Sequence, residues 1–404
     1  MNETKHIAIL GAGPAGLMAA EVLGKAGHTV TLYDRMASPA RKFLIAGRGG
    51  LNLTHSEDMD TFLTRYGEAS SWLSPSIHAF PPSALRAWCE GLGVETFVGT
   101  SGRIFPRSMK AVQLLRLWLR RLESLGIKYK PRHAWQGWEN DSLSFETPQG
   151  KVLVKADATI LALGGASWPR LGSNGVWVNW LSSVAEVAPL RPSNSGFVAP
   201  WSEYFSSRFA GEPLKPVTIT HKGVSRQGEA MITAQGIEGG VVYALSSSIR
   251  EAIVQEGKAA VTLDLRPNQT GDALSAKLDK PRGRKSLSTF LKSAGFAPVA
   301  ISLLRERVSN ERLMQAKASE LAGWLKALPL TLTATTGIER AISSAGGITR
   351  ESCDAHFMLL KKPGVFVAGE MLDWEAPTGG YLLQGCFSTA VAAAEGVLRY
   401  LEKH

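Results

Sequence analysis

Gly11, Gly13 and Gly16 stand in a G-x-G-x-x-G spacing directly after the apolar run Ile7–Leu10. Glycines so spaced do chemistry by leaving room. The first makes a tight turn, the second admits a pyrophosphate against the backbone, and the third lets a helix pack on a strand. The free N–H groups at the start of that helix then face the phosphate charge. Asp34 lies 18 residues beyond Gly16, after the run His28–Tyr33, where a carboxylate can accept hydrogen bonds from an adenosine ribose. The pattern predicts a strand over Ile7–Leu10, a helix over Leu17–Lys25 and a dinucleotide where they meet. FAD and NAD both fit such a junction, so the rest of the chain must choose.

The choice starts at Arg41. Lys42, Gly47, Arg48, Gly49, Gly50 and Asn52 form a glycine-rich, basic stretch ending at Thr54. It suits a long cofactor whose isoalloxazine lies beyond the pyrophosphate; a mobile basic loop is the plain alternative. Two later segments repeat the strand-then-glycine theme. Asp157–Ser167 runs into Gly164 and Gly165, and Gly364–Asp373 into Gly369 and Glu370. Thr378, Gly379, Gly380, Tyr381 and Gln384 then open an Ala-rich helix through Gly396. Its positive end would face the N1–C2=O edge of a flavin, where negative charge gathers on reduction. No C-x-x-x-x-C follows the first motif, which excludes disulfide-reductase chemistry, and no second G-x-G-x-x-G supplies an NAD(P)H domain. A nicotinamide donor must therefore share the flavin face with the acceptor and leave before it enters. Candidate proton donors are Cys386, Tyr381 and Glu370 near the flavin end, and His55 just past Asn52. With no H-x-x-x-H and no C-x-x-C, no metal site is expected.

These segments, with Gly102–Pro106, Ala162–Gly165 and Ser344–Ile348, resemble the BaiN/RdsA family of NAD(P)/FAD-dependent oxidoreductases (YhiN-like flavoproteins) over nearly the whole chain. The resemblance implies an α/β fold: a Rossmann-like FAD-binding domain of the glutathione and fumarate reductase type, with an inserted β-rich domain and a small helical domain. It implies non-covalent FAD held at pyrophosphate by Gly11, Gly13, Ala15 and Gly16, with Pro14 between them and Asp34 and Arg35 at the ribose. Lys42, Gly47, Gly49, Gly50, Asn52 and Leu53 match the second loop. Ala162, Gly164 and Gly165 match a strand-end contact. Gly369, Glu370, Asp373, Gly379, Gly380, Tyr381, Leu382 and Gln384 match the flavin-end segment. Two positions depart: Leu51 stands where many members have Cys, and Leu382 where many have Asn. The reaction implied is NAD(P)H-driven reduction of an activated C=C bond. Uridine in 23S ribosomal RNA and steroid-like enones are the two substrate types. An RNA- or ribosome-associated flavoprotein with structural FAD is the reading from another class.

The elements that must position these residues are legible at lower resolution. The 404 residues and 44% hydrophobic content fit two or three folded domains, and three cysteines fit a reducing cytoplasm. No run of about 18 consecutive apolar residues suggests a membrane span. We expect the FAD domain over 1–189 and 345–404, a β-rich insertion over 190–266 and 329–344, and a helical piece over 267–328. The net charge of +10 favours polyanionic partners. Arg282, Arg284 and Lys285, clustered beside Gly283, are the first candidates for nucleic-acid phosphates. Arg116 and Arg120 follow, on a helix over Lys110–Ser124 whose buried stripe is expected at Val112, Leu115, Leu119 and Leu122. A solvated helix face is the plain reading of those two arginines.

Overall fold

The computed structural model describes residues 4–47 and 49–404, so Arg48 of the second glycine loop lies outside the described residues. Two units divide the chain: Met1–Pro192 with Ile342–His404, and Ser193–Ala341.

The first unit is built on a five-stranded parallel sheet. In spatial order its strands are Val365–Val367, Ala158–Leu161, His6–Leu10, Thr29–Asp34 and Lys128–Pro131. Register explains how distant motifs meet. Leu10 pairs with Tyr33 on one side and Leu161 on the other, and Leu161 pairs with Val367. The next residues along, Gly11, Asp34, Ala162 and Ala368, therefore emerge side by side at the carboxyl ends of the strands. Strand order reverses about His6–Leu10, and ligands of open α/β sheets bind outside such a switch point. This is a Rossmann-like parallel sheet.

The opening helix, Pro14–Lys25, starts with proline at its first turn, three residues before the expected Leu17. Arg41–Ala46, expected as loop, is a short helix. The closing helix, Tyr381–Leu401, is long and apolar enough by composition to cross a membrane, but 72% of its apolar window is buried within the protein. Phe387, Val391, Val397 and the alanines of its inner face pack against the opening helix and the sheet, as a core helix does.

The helix Ala111–Ser124 corrects one expectation. Ala111, Leu114, Leu115, Trp118 and Leu122 are buried, whereas Val112 is 55% exposed. Leu115 and Leu122 belong to either stripe, and the larger apolar surface of Trp118 decides which face turns inward. Arg116 and Arg120 are exposed; their neighbour Arg121 is not free. Its Nη1 donates to Glu21 at 3.0 Å, alongside Trp88 Nε1 at 3.0 Å and Lys25 Nζ at 2.6 Å. Burial pushes the Glu21 carboxyl up, but those hydrogen bonds and the cationic charges outweigh it and hold the group low. Glu21→Ala should cost about 1–3 kcal/mol, because it removes the acceptor of a buried indole N–H and one partner of a guanidinium that keeps its bond to Gly91 O. A carboxyl lowered by folding stabilises fully above its unfolded value and loses that contribution as pH falls through its folded value. Denaturant titrations should therefore show the variant's deficit shrinking toward acid pH.

The second unit carries a seven-stranded antiparallel-paired sheet containing Pro213–His221, Val224–Ile232, Ala259–Asp264 and Leu328–Leu332. A bulge between Leu214 and Val217 lets Pro216 sit in the first of these strands. The helices Gly271–Leu278, Leu287–Ser293, Pro298–Arg307 and Ala318–Lys326 send Leu274, Leu291, Leu304 and Leu325 into one core with Val261, Leu263 and Leu330. Residues 267–328 thus share the hydrophobic core of the sheet.

Candidate functional site

A cavity of about 780 Å³ opens at the carboxyl ends of the parallel strands, within the usual range for small-molecule and cofactor sites. Gly11, Gly13, Pro14 and Ala15 form one wall. The glycines divide by what a side chain would meet. A Cβ at Gly16 would collide with the Gly11 carbonyl, and one at Gly11 with the Ala162 carbonyl, so both are required by the fold. A Cβ at Gly13 would meet no atom of the described residues within 4 Å. Its space is left for something else.

Asp34 lines the cavity at the next strand end. Its Oδ2 accepts from Ala12 N–H at 2.7 Å and its Oδ1 from Met36 N–H at 2.6 Å. Burial raises its pKa, while those two bonds and the charges of Arg35 and Arg41 oppose the rise. Each oxygen keeps lone pairs for a ribose hydroxyl. Around this end stand aromatic rings that the glycine pattern did not reveal. Tyr33 stacks on Phe145 at 4.6 Å, and Trp135 meets Trp180 edge-on at 5.2 Å. Trp177 also lines the cavity and donates from Nε1 to Gly164 O at 2.8 Å, and Trp168 stands at its edge. The sequence signal for these tryptophans was their number, eleven in the chain.

Lys42 crosses the cavity wall. Its Nζ donates to Ser167 Oγ at 2.8 Å and to Glu370 Oε2 at 2.9 Å, while Glu370 Oε1 accepts from Ser344 N–H at 2.8 Å. Gly50, Asn52, Ala162, Gly164, Gly379, Gly380 and Leu382 complete the expected lining, together with Leu51 and Leu383. Asn52 Oδ1 is buried without a partner among the described residues. Other expected contacts stand behind the wall. Gly16, Gly47, Gly165 and Gly369 fill close approaches, and Leu53 is fully buried. Gly49 is an exposed turn residue. Asp373 N–H donates to Ile348 O at 2.9 Å, and Gln384 Nε2 to Phe80 O at 2.7 Å. These residues shape the cavity and do not line it.

Of the candidate proton donors, Cys386 and Glu370 line the cavity; Tyr381 and His55 do not. Successive helical residues are turned by about 100°, so Leu382, Leu383 and Cys386 share the cavity face while Tyr381 points away. Burial, with Glu370 nearby, pushes the Cys386 thiol up to about 12; Lys42 opposes. The thiol is protonated at neutral pH. Tyr381 instead donates its hydroxyl to Glu57 Oε1 at 2.6 Å and stacks on His55 at 5.4 Å. Burial and Glu57 raise its phenol well above the ordinary value. His55 is held by Ser101 O at 2.9 Å and by Glu57 N–H at 3.2 Å.

The donor set fits FAD. Two helix N-termini open on the cavity, and among the described residues four cationic side chains (Arg35, Arg41, Lys42 and Arg103) line it against two carboxylates, Asp34 and Glu370. That surplus suits a diphosphate, and the open face of Gly13 is where one would lie. In the second unit, Arg284 and Lys285 are exposed and Arg282 partly so, in the turn before Leu287–Ser293. Arg282 Nε donates to Lys285 O at 2.9 Å, which holds that turn.

Residues 5–396 match the family described as HI0933-like protein Rossmann domain. The 3-dehydro-bile acid delta(4,6)-reductase of Clostridium scindens is 25% identical, with 96% of this chain and 98% of that protein aligned. The ribosomal RNA dihydrouridine synthase of Escherichia coli is 26% identical, with 96% of this chain and 97% of that protein aligned. Among solved structures, a 3-ketosteroid delta1-dehydrogenase from Sterolibacterium denitrificans superposes with a TM-score of 0.51 at 11% identity, over 98% of this chain and all of that one. That likeness is one of fold.

Proposed function

The chain belongs to the HI0933-like Rossmann-domain family of flavin-dependent oxidoreductases, and from that premise we propose that it uses NAD(P)H to reduce uridine to dihydrouridine in 23S ribosomal RNA. The two curated relatives differ in substrate size, yet both names denote saturation of a carbon–carbon double bond. For uracil, hydride adds at C6 and a proton at C5, because C5=C6 is conjugated to the C4 carbonyl. When bound, FAD supplies the hydride. Cys386 is the group we assign to the proton, since it lines the cavity and stays protonated at neutral pH. Lys42, fixed by Glu370 and Ser167, would hold oxygens of the bound cofactor. With no second dinucleotide motif, NAD(P)H and the acceptor alternate at one face.

Charge distribution is the observation that carries RNA over a small enone. Between 267 and 328 the chain has 11 Lys and Arg against 5 Asp and Glu, while the rest of the second unit is balanced at 8 and 8. A steroid needs no such surplus; a phosphate backbone gains from it. The enone reading keeps one specific support, the equal match to the bile-acid enzyme. Mass spectrometry of ribosomal RNA decides between them. Cells lacking the protein should lose one dihydrouridine, and purified holoprotein with NAD(P)H should restore it on their RNA. Equal dihydrouridine in both strains would move the enone reductase to first place. Cytoplasmic location and an RNA partner belong to the same reading.

A further inference from the structure

Outside the cavity, four polar side chains converge on the first residue of the closing helix. Glu57 is paired with Arg65 through two bonds, Nε to Oε1 at 3.0 Å and Nη2 to Oε2 at 2.7 Å, and its carboxylate is only 13% exposed. The same carboxylate accepts the Tyr381 hydroxyl at 2.6 Å. From the other side Tyr66 donates its hydroxyl to the Tyr381 carbonyl at 2.8 Å. The Tyr381 ring lies between His55 and Phe62, with ring centroids at 5.4 and 5.0 Å. One residue earlier, Gly380 has φ +96°, and a Cβ there would press on the Thr54 backbone. Side chain, carbonyl and cap of the helix start are each held, and none of the holding groups lines the cavity.

We infer that Glu57 and Arg65 are positioning residues, which act through Tyr381 to aim the positive end of the Tyr381–Leu401 helix at the cofactor. The first helical bond runs from Gln384 N–H to Gly380 C=O, so the N–H groups of Tyr381, Leu382 and Leu383 precede it. Gly379, Gly380, Leu382 and Leu383 line the cavity, so that turn faces whatever occupies it. A helix terminus interacts with charge within about one turn, and a loosened first turn loses that interaction. The Glu57–Arg65 pair fixes the carboxylate in one orientation, which a lone surface Glu could not maintain. Burial pushes the Glu57 carboxyl up, but Arg65 and the Tyr381 hydroxyl outweigh it, so the group stays ionised and accepting.

This inference rests on FAD occupying the cavity with its isoalloxazine at the helix start. Tyr381→Phe removes one hydroxyl and keeps the ring; Glu57→Gln removes the charge and nearly keeps the shape. In each, apoprotein titrated with FAD should bind about three- to thirtyfold more weakly. The midpoint potential of bound flavin should move negative, because the reduced, anionic form loses its dipole. The double variant should resemble the single ones, since both cut the same link. A lower melting temperature with wild-type FAD affinity and potential in both single variants would overturn the inference. Wild-type apoprotein that took up no FAD would sink the parent reading, and this one with it.

Discussion

Gly13→Val should leave a folded protein that no longer retains FAD. The two halves of that expectation have separate physical grounds. Gly13 precedes the opening helix with φ −81° and ψ −178°, a conformation open to any residue. A Cβ at that position meets no atom of the described residues within 4 Å, so the apoprotein's stability should change by about 0.5 kcal/mol or less. The isopropyl group would instead occupy the place where a pyrophosphate reaches the helix N-terminus, losing both contact and charge complementarity. FAD affinity should fall by a factor on the order of a thousand, equal to about 4 kcal/mol. Gly16→Val makes the contrast. There a side chain collides with the Gly11 carbonyl, and the expected result is unfolding or insolubility. Visible absorbance and melting curves on the two purified variants check the pair. A yellow Gly13→Val protein with normal flavin content would mean that the cavity is not an FAD site.

Sequence made the cavity's backbone legible and its side-chain lining much less so. The glycine spacing, Asp34 and the later strand–glycine segments mark places where atoms must approach closely, and such constraints leave a fixed pattern of residue types. The parallel register then carries those places to the carboxyl ends of the strands. Aromatic lining leaves no such pattern. Trp135 arrives on the antiparallel strand Ala134–Glu139, and Trp177 and Trp180 on or beside the short helix Val178–Leu181. Tryptophan there is indistinguishable by spacing from tryptophan in a core. Tyr381 illustrates the opposite hazard. The family resemblance puts it among the cofactor contacts, but one step along a helix turns a side chain by about 100°. The residues that face the cavity are its neighbours. Two of the lining leucines, Leu51 and Leu382, stand where the resembled family often carries Cys and Asn, and Cys386 is the thiol that lines this site among the described residues.

Reversing the charge of Arg282, Arg284 and Lys285 together should weaken RNA binding and flatten its dependence on salt. Each phosphate contact releases counterions and contributes about 0.7 to 0.9 to the slope of log affinity against log salt. Loss of three contacts should lower that slope by about 2 to 3 and weaken binding on the order of a hundredfold at low salt. The effect should be uniform across RNA sequences, because phosphate contacts position a chain and do not read bases. Arg282 also holds its own turn through Lys285 O, so an Arg284→Glu, Lys285→Glu variant gives the charge effect with that bond left in place. Those two side chains are exposed, and FAD content and melting temperature should stay at wild-type values. A ribosomal RNA fragment titrated at several salt concentrations reads the slope directly. The energetic need for such contacts follows from the chemistry: a uracil must be unstacked before its C5=C6 bond can reach a cavity, at a few kcal/mol. An unaltered slope in both variants would remove this turn from RNA recognition, and the surplus charge of 267–328 would then have to act from its other exposed lysines and arginines.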